Sequence, residues 1–408
     1  MSENALTGGY AVVTVQVSRI RLVVFLSAAV FLVRTVTMMM GPLLVAVAAA
    51  FDTSVVATGQ LAGAIGITWG ITAPLVGPLS DIYGRRKVGL TGLMVMAVAT
   101  LGSLLVWNYW GLLVCRLLAG VGAAMIPPNS VAAIADRFAP AERGRPISIL
   151  ISASFVALVI ATPVVAVLGE TGGWRLPFIV VSASIVGVWA LQWYWLPEHP
   201  LVGRRFGFVE HFKEVGQNKG LWLVLLANFF YQTAALGIFT YLVAFLVRTY
   251  GMTQGDAALP LGVVGAGAIL GSLLGGYVAG RKRRLSWAVF VLLMGGLSVG
   301  LAFGAGLGVW TAVMLCCAGA LLLTIFEPVT WVLTSELAGE SRATANGLLA
   351  TSNQLGFIGG ASAGGLVLAL GGYALVGFFF LGAAIAAAVV VIGIAIGVKS
   401  RGAQAARL

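Results

Sequence analysis

Charged residues are scarce in this chain of 408 residues: they make up 9% of the sequence, against 60% for hydrophobic residues. A soluble globular domain carries roughly 25% charged residues, so this chain has too few to cover a water-facing surface of its own size. The mean hydropathy of +1.03 agrees with that conclusion. The scarcity excludes a soluble enzyme, a disordered scaffold and a nucleic-acid-binding domain, despite the formal net charge of +11. An integral membrane protein remains.

Cysteine is also rare, and the three cysteines lie in apolar runs without the spaced pairs of a metal site or a disulfide framework. The first apolar run is long enough to span a membrane, and we expect it to be retained rather than cleaved as a signal peptide. No phosphate-binding loop and no catalytic constellation occur in the sequence. We therefore predict neither a cofactor nor an enzymatic activity.

Long apolar runs dominate the chain instead. A transmembrane helix needs about 20 apolar residues in succession. Twelve runs between charged or turn residues qualify, at 22–49, 57–79, 88–107, 109–135, 146–168, 174–196, 221–247, 257–280, 286–305, 309–335, 343–369 and 372–398. The runs are continuous rather than alternating, which excludes a membrane β-barrel. The sequence predicts an all-α integral membrane protein with twelve transmembrane helices.

Basic residues crowd onto one side of these spans. Of the 24 lysines and arginines, 20 fall in the two tails or in the loops on the same side. The positive-inside rule makes that side cytoplasmic, and an even number of spans places both termini there. We predict a multi-pass protein of the inner, cytoplasmic membrane.

The longest polar stretch divides the spans six and six. The sequence predicts an N-terminal six-helix bundle at 1–196, a cytoplasmic connector at 197–220 with an amphipathic piece near 206–212, and a C-terminal six-helix bundle at 221–408. Equivalent loops in the two halves carry similar basic clusters, at 84–87 and 280–284. Parallel repeats of this kind place the substrate site of a transporter between the halves.

The most specific motif is GPLSDIYGRRK at 77–87, between spans 2 and 3. It resembles the signature loop of the major facilitator superfamily, G-x-L-a-D-r-x-G-R followed by Arg or Lys, at nearly every position. The resemblance implies two bundles of six helices that rock about a central site, and a cytoplasmic latch built on this loop. The pattern includes Gly77 and Gly84.

In such a latch, Asp81 would face the N-terminal end of span 11, where unpaired N–H groups favour an anion. Arg85 would pair with an acid at the end of span 4, here Asp136. A role for the basic cluster in topology alone stays open. The second copy of the loop has Ala279 and Gly280 where the acid would be, so only one half can carry this latch.

Span 4 contains RLLAGVGAA at 116–124, which resembles the family pattern R-x-x-x-G-x-G-x-A. Drug/proton members of the family assign this arginine, here Arg116, a part in proton coupling. A structural hydrogen-bonding role is the alternative. Span 5 departs from the antiporter pattern and keeps only Pro163, which lowers the expectation of export.

Three charged residues lie within spans: Arg34, Arg116 and Glu327. Two guanidinium groups against one carboxylate in a shared cavity should favour an anion, because arginine offers a bidentate fork to carboxylate or phosphate. Arg34 also resembles the span-1 arginine of organic-anion members. The alternative is that Arg34 pairs permanently with Glu327 or with backbone carbonyls and never contacts substrate.

Glu327 precedes Pro328, whose missing N–H loosens the helix. A carboxyl group that alternates between burial and an ion pair can load and release a proton, so we predict that Glu327 carries a coupled proton. The family places spans 1, 4, 7 and 10 around the cavity. That arrangement favours four further lining residues, Asn228, Tyr231, Gln232 and Trp331.

These observations predict a secondary transporter that works by alternating access. We expect it to move a small organic anion or amphipathic metabolite, with protons and outward. A broad-specificity drug/proton antiporter and a uniporter without proton coupling are the alternatives. The expected partners are a small-molecule substrate, protons and the lipid bilayer, without nucleic acid, and we expect a monomer.

Overall fold

The computed structural model describes residues 19–196, 208–253, 256–339 and 341–405, and these residues form helices and no β-strand. The helices of the N-terminal half are α1 (Arg19–Met38), α2 (Met40–Ala50), α3 (Val55–Tyr83), α4 (Arg85–Leu105), α5 (Tyr109–Ala124), α6 (Pro127–Arg137), α7 (Gly144–Val156), α8 (Thr162–Gly172) and α9 (Leu176–Trp195). Those that follow are α10 (Phe208–Gln217), α11 (Lys219–Tyr250), α12 (Ala258–Ala279), α13 (Arg284–Gly304), α14 (Val309–Thr324), α15 (Phe326–Leu337) and α16 (Arg342–Ala405).

Eleven helical segments of the described residues are long and apolar enough to cross a membrane. The last of them, in α16, has non-helical backbone angles at Gly371 and Gly372. This break divides α16 into two membrane-length pieces and confirms the predicted twelve-helix, all-α architecture.

Proline residues interrupt several of the predicted spans. The predicted first span, 22–49, is not one continuous helix, because α1 ends at Met38 and α2 begins at Met40. Pro42 explains this break, since a proline cannot donate to the carbonyl four residues earlier and its ring clashes with it. Span 5 likewise contains a π-helical turn at Ala157–Ala161 just before Pro163. Such turns accommodate an interrupted hydrogen-bond ladder.

Spans 4 and 10 are broken in the same way. Each begins with a 16-residue helix, α5 or α14, and continues with a shorter one, α6 or α15. Pro127 and Pro128 open α6, and Pro328 lies in the first turn of α15. The break in span 10 falls beside Glu327, so the helix interruption and the intramembrane carboxyl group share one place in the fold.

The two halves meet most closely at one end of the bundle. We call it the basic end, because it carries the loops around 84–87, 137–145 and 281–284. There α3 packs on the first part of α16, and α7 packs on α12. A Cβ atom on Gly77 of α3 would lie 2.2 Å from the Cα atom of Thr344, so these helices touch backbone to backbone. The structure is closed at the basic end.

The predicted connector lies partly outside the described residues, which resume at 208. The amphipathic helix α10 covers Phe208–Gln217, a few residues later than predicted. Val215 of α10 packs with Leu221, Ala338 and Ala345 of the C-terminal half. Asn218 then donates to the Leu337 carbonyl at 2.8 Å, which ties the start of α11 to the end of span 10.

Candidate functional site

A central cavity lies between the two halves. Its walls come from α1, α3, α6 and α7 on one side and from α11, α15 and α16 on the other. Most of the surface is apolar, with Val33, Met38, Phe155 and Phe357 among the lining residues. Polar groups are interspersed at Thr37, Ser154, Gln232, Asn353 and Gln354. A mainly apolar pocket with a few convergent polar groups is typical of a small-molecule site.

Arg34 of α1 and Glu327 of α15 are the charged residues that line this cavity. They approach it from opposite halves and attract each other across it. Within the described part of the chain, the Arg34 guanidinium makes neither a hydrogen bond nor an ion pair within 4.0 Å. Its donors therefore face the cavity rather than a fixed protein partner.

Arg116 lies elsewhere. Its side chain is 1% exposed and donates to the backbone carbonyl of Val36 at 2.9 Å and to that of Leu61 at 3.4 Å. The cavity lining does not include it. The expectation of two guanidinium groups against one carboxylate in the cavity is therefore wrong, because Arg116 is turned into the contact between α1 and α3. The cavity holds one positive and one negative side chain.

Glu327 is positioned by hydrogen bonds from other residues of the C-terminal half. The Tyr231 hydroxyl donates to its carboxylate at 3.2 Å, and Tyr231 is itself fully buried. The Thr330 hydroxyl donates to the backbone carbonyl of Glu327 at 2.7 Å, in the first turn of α15. These contacts hold the glutamate at the break of span 10. Its carboxylate binds the Tyr231 hydroxyl and also lines the cavity.

Asn228 and Tyr231 do not line the cavity. Asn228 is fully buried and donates to the Ser352 hydroxyl at 3.1 Å and to the Asn353 side-chain oxygen. The Thr330 hydroxyl donates to the Asn228 oxygen at 3.4 Å. This polar cluster connects α11, α15 and α16 immediately behind the cavity wall. Asn228 and Tyr231 therefore support lining residues instead of facing the cavity themselves.

Gln232 and Trp331 do line the cavity, beside Glu327. Sequence reasoning missed Trp69 of α3, whose indole N–H has no hydrogen-bond partner among the described residues. Its place in mid-span was the available signal, because tryptophan in membrane proteins is otherwise concentrated at the two interfaces. Spans 2, 5 and 11 thus contribute to the wall, through Trp69, Phe155 and Gln354.

The motif loop closes the basic end below the cavity. Asp81 accepts hydrogen bonds from the backbone N–H groups of Ala343 and Thr344 at 3.3 and 3.2 Å, and from the Thr344 hydroxyl at 2.9 Å. These residues form the first turn of α16, where unpaired N–H groups and the helix dipole favour a carboxylate. Asp81 thereby joins one half of the protein to the other.

Asp136, at the end of α6, accepts from two arginines. Arg85 donates through Nε at 3.0 Å and also pairs with Asp81, while Arg342 of the other half donates at 2.6 Å. Gly84 precedes Arg85 with a φ of 95°, a conformation that favours glycine. In the C-terminal half, Arg284 pairs with Glu336 at the equivalent place. An arginine–carboxylate pair is therefore repeated in both halves, whereas the Asp81 contact is made in one.

Comparison with known proteins agrees with this geometry. Residues 26–361 match the family described as the Major Facilitator Superfamily. The probable sulfoacetate transporter SauU of Cupriavidus necator is 27% identical over 308 residues, 68% of this chain and 70% of that protein. The hexuronate transporter of Escherichia coli (strain K12) is 25% identical over 312 residues, 69% of this chain and 72% of that protein.

Among solved structures, the human organic anion transporter MFSD10 superposes with a TM-score of 0.74. The sequence identity is 16%, and the match covers 92% of this chain and 99% of that one. At this identity the likeness concerns the fold. The family match, which spans most of the chain, carries the assignment. The chain belongs to the major facilitator superfamily, a family of multi-pass membrane transporters for small molecules and not of enzymes.

Proposed function

We propose that this transporter moves a small organic anion together with a proton, and that it works outward. The observation that carries the proposal is the position of Arg34 and Glu327 in the walls of one cavity. They come from opposite halves and form no ion pair within 4.0 Å. A guanidinium group with unoccupied donors suits a carboxylate, sulfonate or phosphate, which it can bind through two parallel hydrogen bonds. The relatives' names, sulfoacetate and hexuronate transporter, describe organic anions of this kind.

The two charges suggest how the proton is coupled. While Glu327 is ionised, it attracts Arg34 and competes with an anionic substrate for the same guanidinium group. Once Glu327 is protonated, the cavity has a net positive charge and Arg34 is available to the anion. Anion and proton therefore bind together and move in the same direction. Outward movement then follows when the internal anion concentration is high, because the anion gradient drives both species.

Alternating access supplies the movement in this proposal. The N-terminal bundle, residues 1–196, and the C-terminal bundle, residues 221–408, rock about the cavity while the connector at 197–220 joins them. By the positive-inside rule the basic end faces the cytoplasm of the inner membrane, with both termini on that side. The contacts of Asp81 and Asp136 then act as a latch that holds the cytoplasmic end closed. One chain contains the whole cavity, so we propose a monomer.

Flux measurements in proteoliposomes test this function. Sulfoacetate and galacturonate serve as anionic probes, and ethidium serves as a cationic drug probe, each with and without an imposed pH gradient. We expect anion flux, accelerated when protons move in the same direction as the anion. Anion flux that ignores the pH gradient would instead identify a uniporter.

A broad-specificity drug/proton antiporter is the second candidate. The observation in its favour is the apolar cavity wall, which includes Val33, Met38, Phe155 and Phe357 and would accept a lipophilic solute. Glu327 would then attract a cation and exchange it for a proton. Ethidium flux opposite to the proton flux, with no flux of either anion, would establish this function in place of the proposed one.

A further inference from the structure

A second cleft lies at the basic end, away from the central cavity. The N-terminal half contributes the start of α1 and the segment between α6 and α7, and the C-terminal half contributes the end of α12. Its chemically distinctive lining residues are Arg19, Glu142, Arg145, Tyr277 and Arg281. Both halves of the transporter therefore face one strongly basic depression.

The charges of this cleft are unbalanced. Arg19 pairs with Glu142 at 2.9 Å, which uses the one carboxylate in the lining. Arg281 lies over the ring of Tyr277, 4.2 Å from its centre. Among the described residues, no carboxylate pairs with Arg145 or Arg281 within 4.0 Å. One guanidinium from each half is thus left with donors for an anion.

The cleft lies over the line where the halves meet. A Cβ atom on Gly144 would be 2.2 Å from the carbonyl oxygen of Gly276, so α7 and α12 touch backbone to backbone beside it. Arg145 follows directly after Gly144, and Arg281 lies five residues after Gly276. A ligand held by both arginines spans this contact and binds the conformation in which the basic end is closed.

Tryptophans at the basic end indicate that the cleft lies at the level of the membrane interface. Half-exposed tryptophans surround the basic end, at Trp193, Trp195, Trp222 and Trp287. Tryptophan is enriched at the level of lipid headgroups. On α12, Tyr277 is 53% exposed, and Leu273 and Leu274 of the preceding turn are also exposed. An apolar, outward-facing strip thus runs from the cleft along α12 toward the middle of the span.

We propose that this cleft binds the phosphate group of an anionic phospholipid, with the acyl chains along the exposed face of α12. Arg145 and Arg281 hold the phosphate oxygens from the two halves, and Tyr277 packs against the glycerol region. Basic pockets between transmembrane helices bind lipid headgroups through this chemistry. The bound lipid stabilises the closed basic end, because opening separates its two arginines. This site is independent of the transported substrate.

Native mass spectrometry of the purified full chain tests the site. The protein is titrated in detergent with phosphatidylglycerol, phosphatidylcholine or inorganic phosphate. We expect preferential binding of phosphatidylglycerol, and at least a roughly tenfold loss of affinity in the double variant Arg145→Gln/Arg281→Gln. The variant Lys282→Gln/Arg283→Gln is the matched control, since it removes two neighbouring charges that do not line the cleft. It should bind the lipid as the unmodified chain does.

Three results would overturn the proposal. Equal losses in both double variants would reduce the effect to general surface charge. Unchanged binding in Arg145→Gln/Arg281→Gln would place the lipid elsewhere. Displacement of phosphatidylglycerol by millimolar inorganic phosphate would make the ligand a soluble phosphate compound instead of a lipid. The variant Arg145→Lys/Arg281→Lys guards against misfolding, because it keeps both charges and should retain preferential binding.

Discussion

Arg342, the first residue of α16, donates to Asp136 at the end of α6 across a distance of 2.6 Å. The two residues belong to different halves and lie 206 positions apart in the chain. Asp136 also accepts from Arg85, which in turn pairs with Asp81. One carboxylate therefore connects the motif loop of the N-terminal half with the start of span 11.

The variant Asp136→Asn should loosen the closed basic end. The pair with Arg342 joins the two halves and is partly exposed, so its loss is worth about 0.2–1 kcal/mol and opening should become up to about five-fold more frequent. A Ser148→Cys reporter, in a chain whose three native cysteines are alanine, measures this as faster labelling by a membrane-impermeant maleimide. Ser148 is 2% exposed and faces Gly276. Glu336→Gln is the control, because its partner Arg284 lies in the same half.

The variant Gly77→Ala should disfavour the same closed conformation for a steric reason. Its new methyl group would lie 2.2 Å from the Cα atom of Thr344, a backbone atom that cannot move aside alone. Overpacking of this kind costs about 1–3 kcal/mol. Labelling of the Ser148→Cys reporter should again accelerate. Gly63→Ala lies on the same helix with nothing within 4 Å of its new methyl group, and equal acceleration there would contradict the argument.

Substitution of Arg34 by glutamine should weaken anion binding. The loss of charge-assisted hydrogen bonds of about 1.5–3 kcal/mol corresponds to about a 10- to 100-fold rise in the dissociation constant. Isothermal titration with the anion that the flux measurements select gives this constant directly. Arg34→Lys should recover part of the affinity, because it restores the charge but not the bidentate fork. Unchanged binding in Arg34→Gln would remove this residue from the substrate site.

In Glu327→Gln, we expect transport to lose its dependence on the pH gradient. Glutamine keeps the size of the side chain and an oxygen for the Tyr231 hydroxyl, but it cannot take up a proton at neutral pH. Proteoliposomes should therefore still exchange internal for external anion at equal pH, while a pH gradient no longer drives accumulation. Retention of both accumulation and its pH dependence would show that another group carries the proton.

For Arg116, the structure favours an effect on stability. Replacement by methionine removes two buried hydrogen bonds, the stronger of them to the Val36 carbonyl, at a cost of about 1–3 kcal/mol. We expect a lower melting temperature in detergent. Anion affinity should be unchanged at a temperature where the variant is folded. A fully stable variant that no longer responds to the pH gradient would restore Arg116 to proton coupling.

The fold could be predicted to the level of spans, because continuous apolar runs and the distribution of basic residues report directly on the bilayer. The breaks within spans were harder to place. Pro42 and Pro127 interrupt their helices, whereas Pro74 and Pro78 lie inside the continuous helix α3. Proline alone does not decide the outcome, since neighbouring helices can satisfy the freed carbonyl groups.

The candidate site, like the fold, could be predicted only in part. The contact between Asp81 and the start of span 11 could be predicted, because the motif loop has a specific pattern over eleven residues. Arg34, Arg116 and Glu327 were predicted as site residues because they lie within apolar runs. This criterion does not show which side of its helix each residue occupies. Arg116 lies on α5, which contributes no residue to the cavity lining, and its side chain lies in the contact with α1 and α3. Its coupling role stays a prediction.

The two-glycine break at Gly371 and Gly372 bears on how the protein is made. The connection between the last two spans offers no side chain and no charge, and Gly372 turns the chain with a φ of 69°. In the proposed orientation this turn lies on the side away from the cytoplasm, so the last two spans can enter the bilayer together as a helical hairpin with almost nothing polar to translocate. A tag or charged epitope inserted at this turn would add that translocation burden. The two glycines thus favour insertion of the last two spans as one unit.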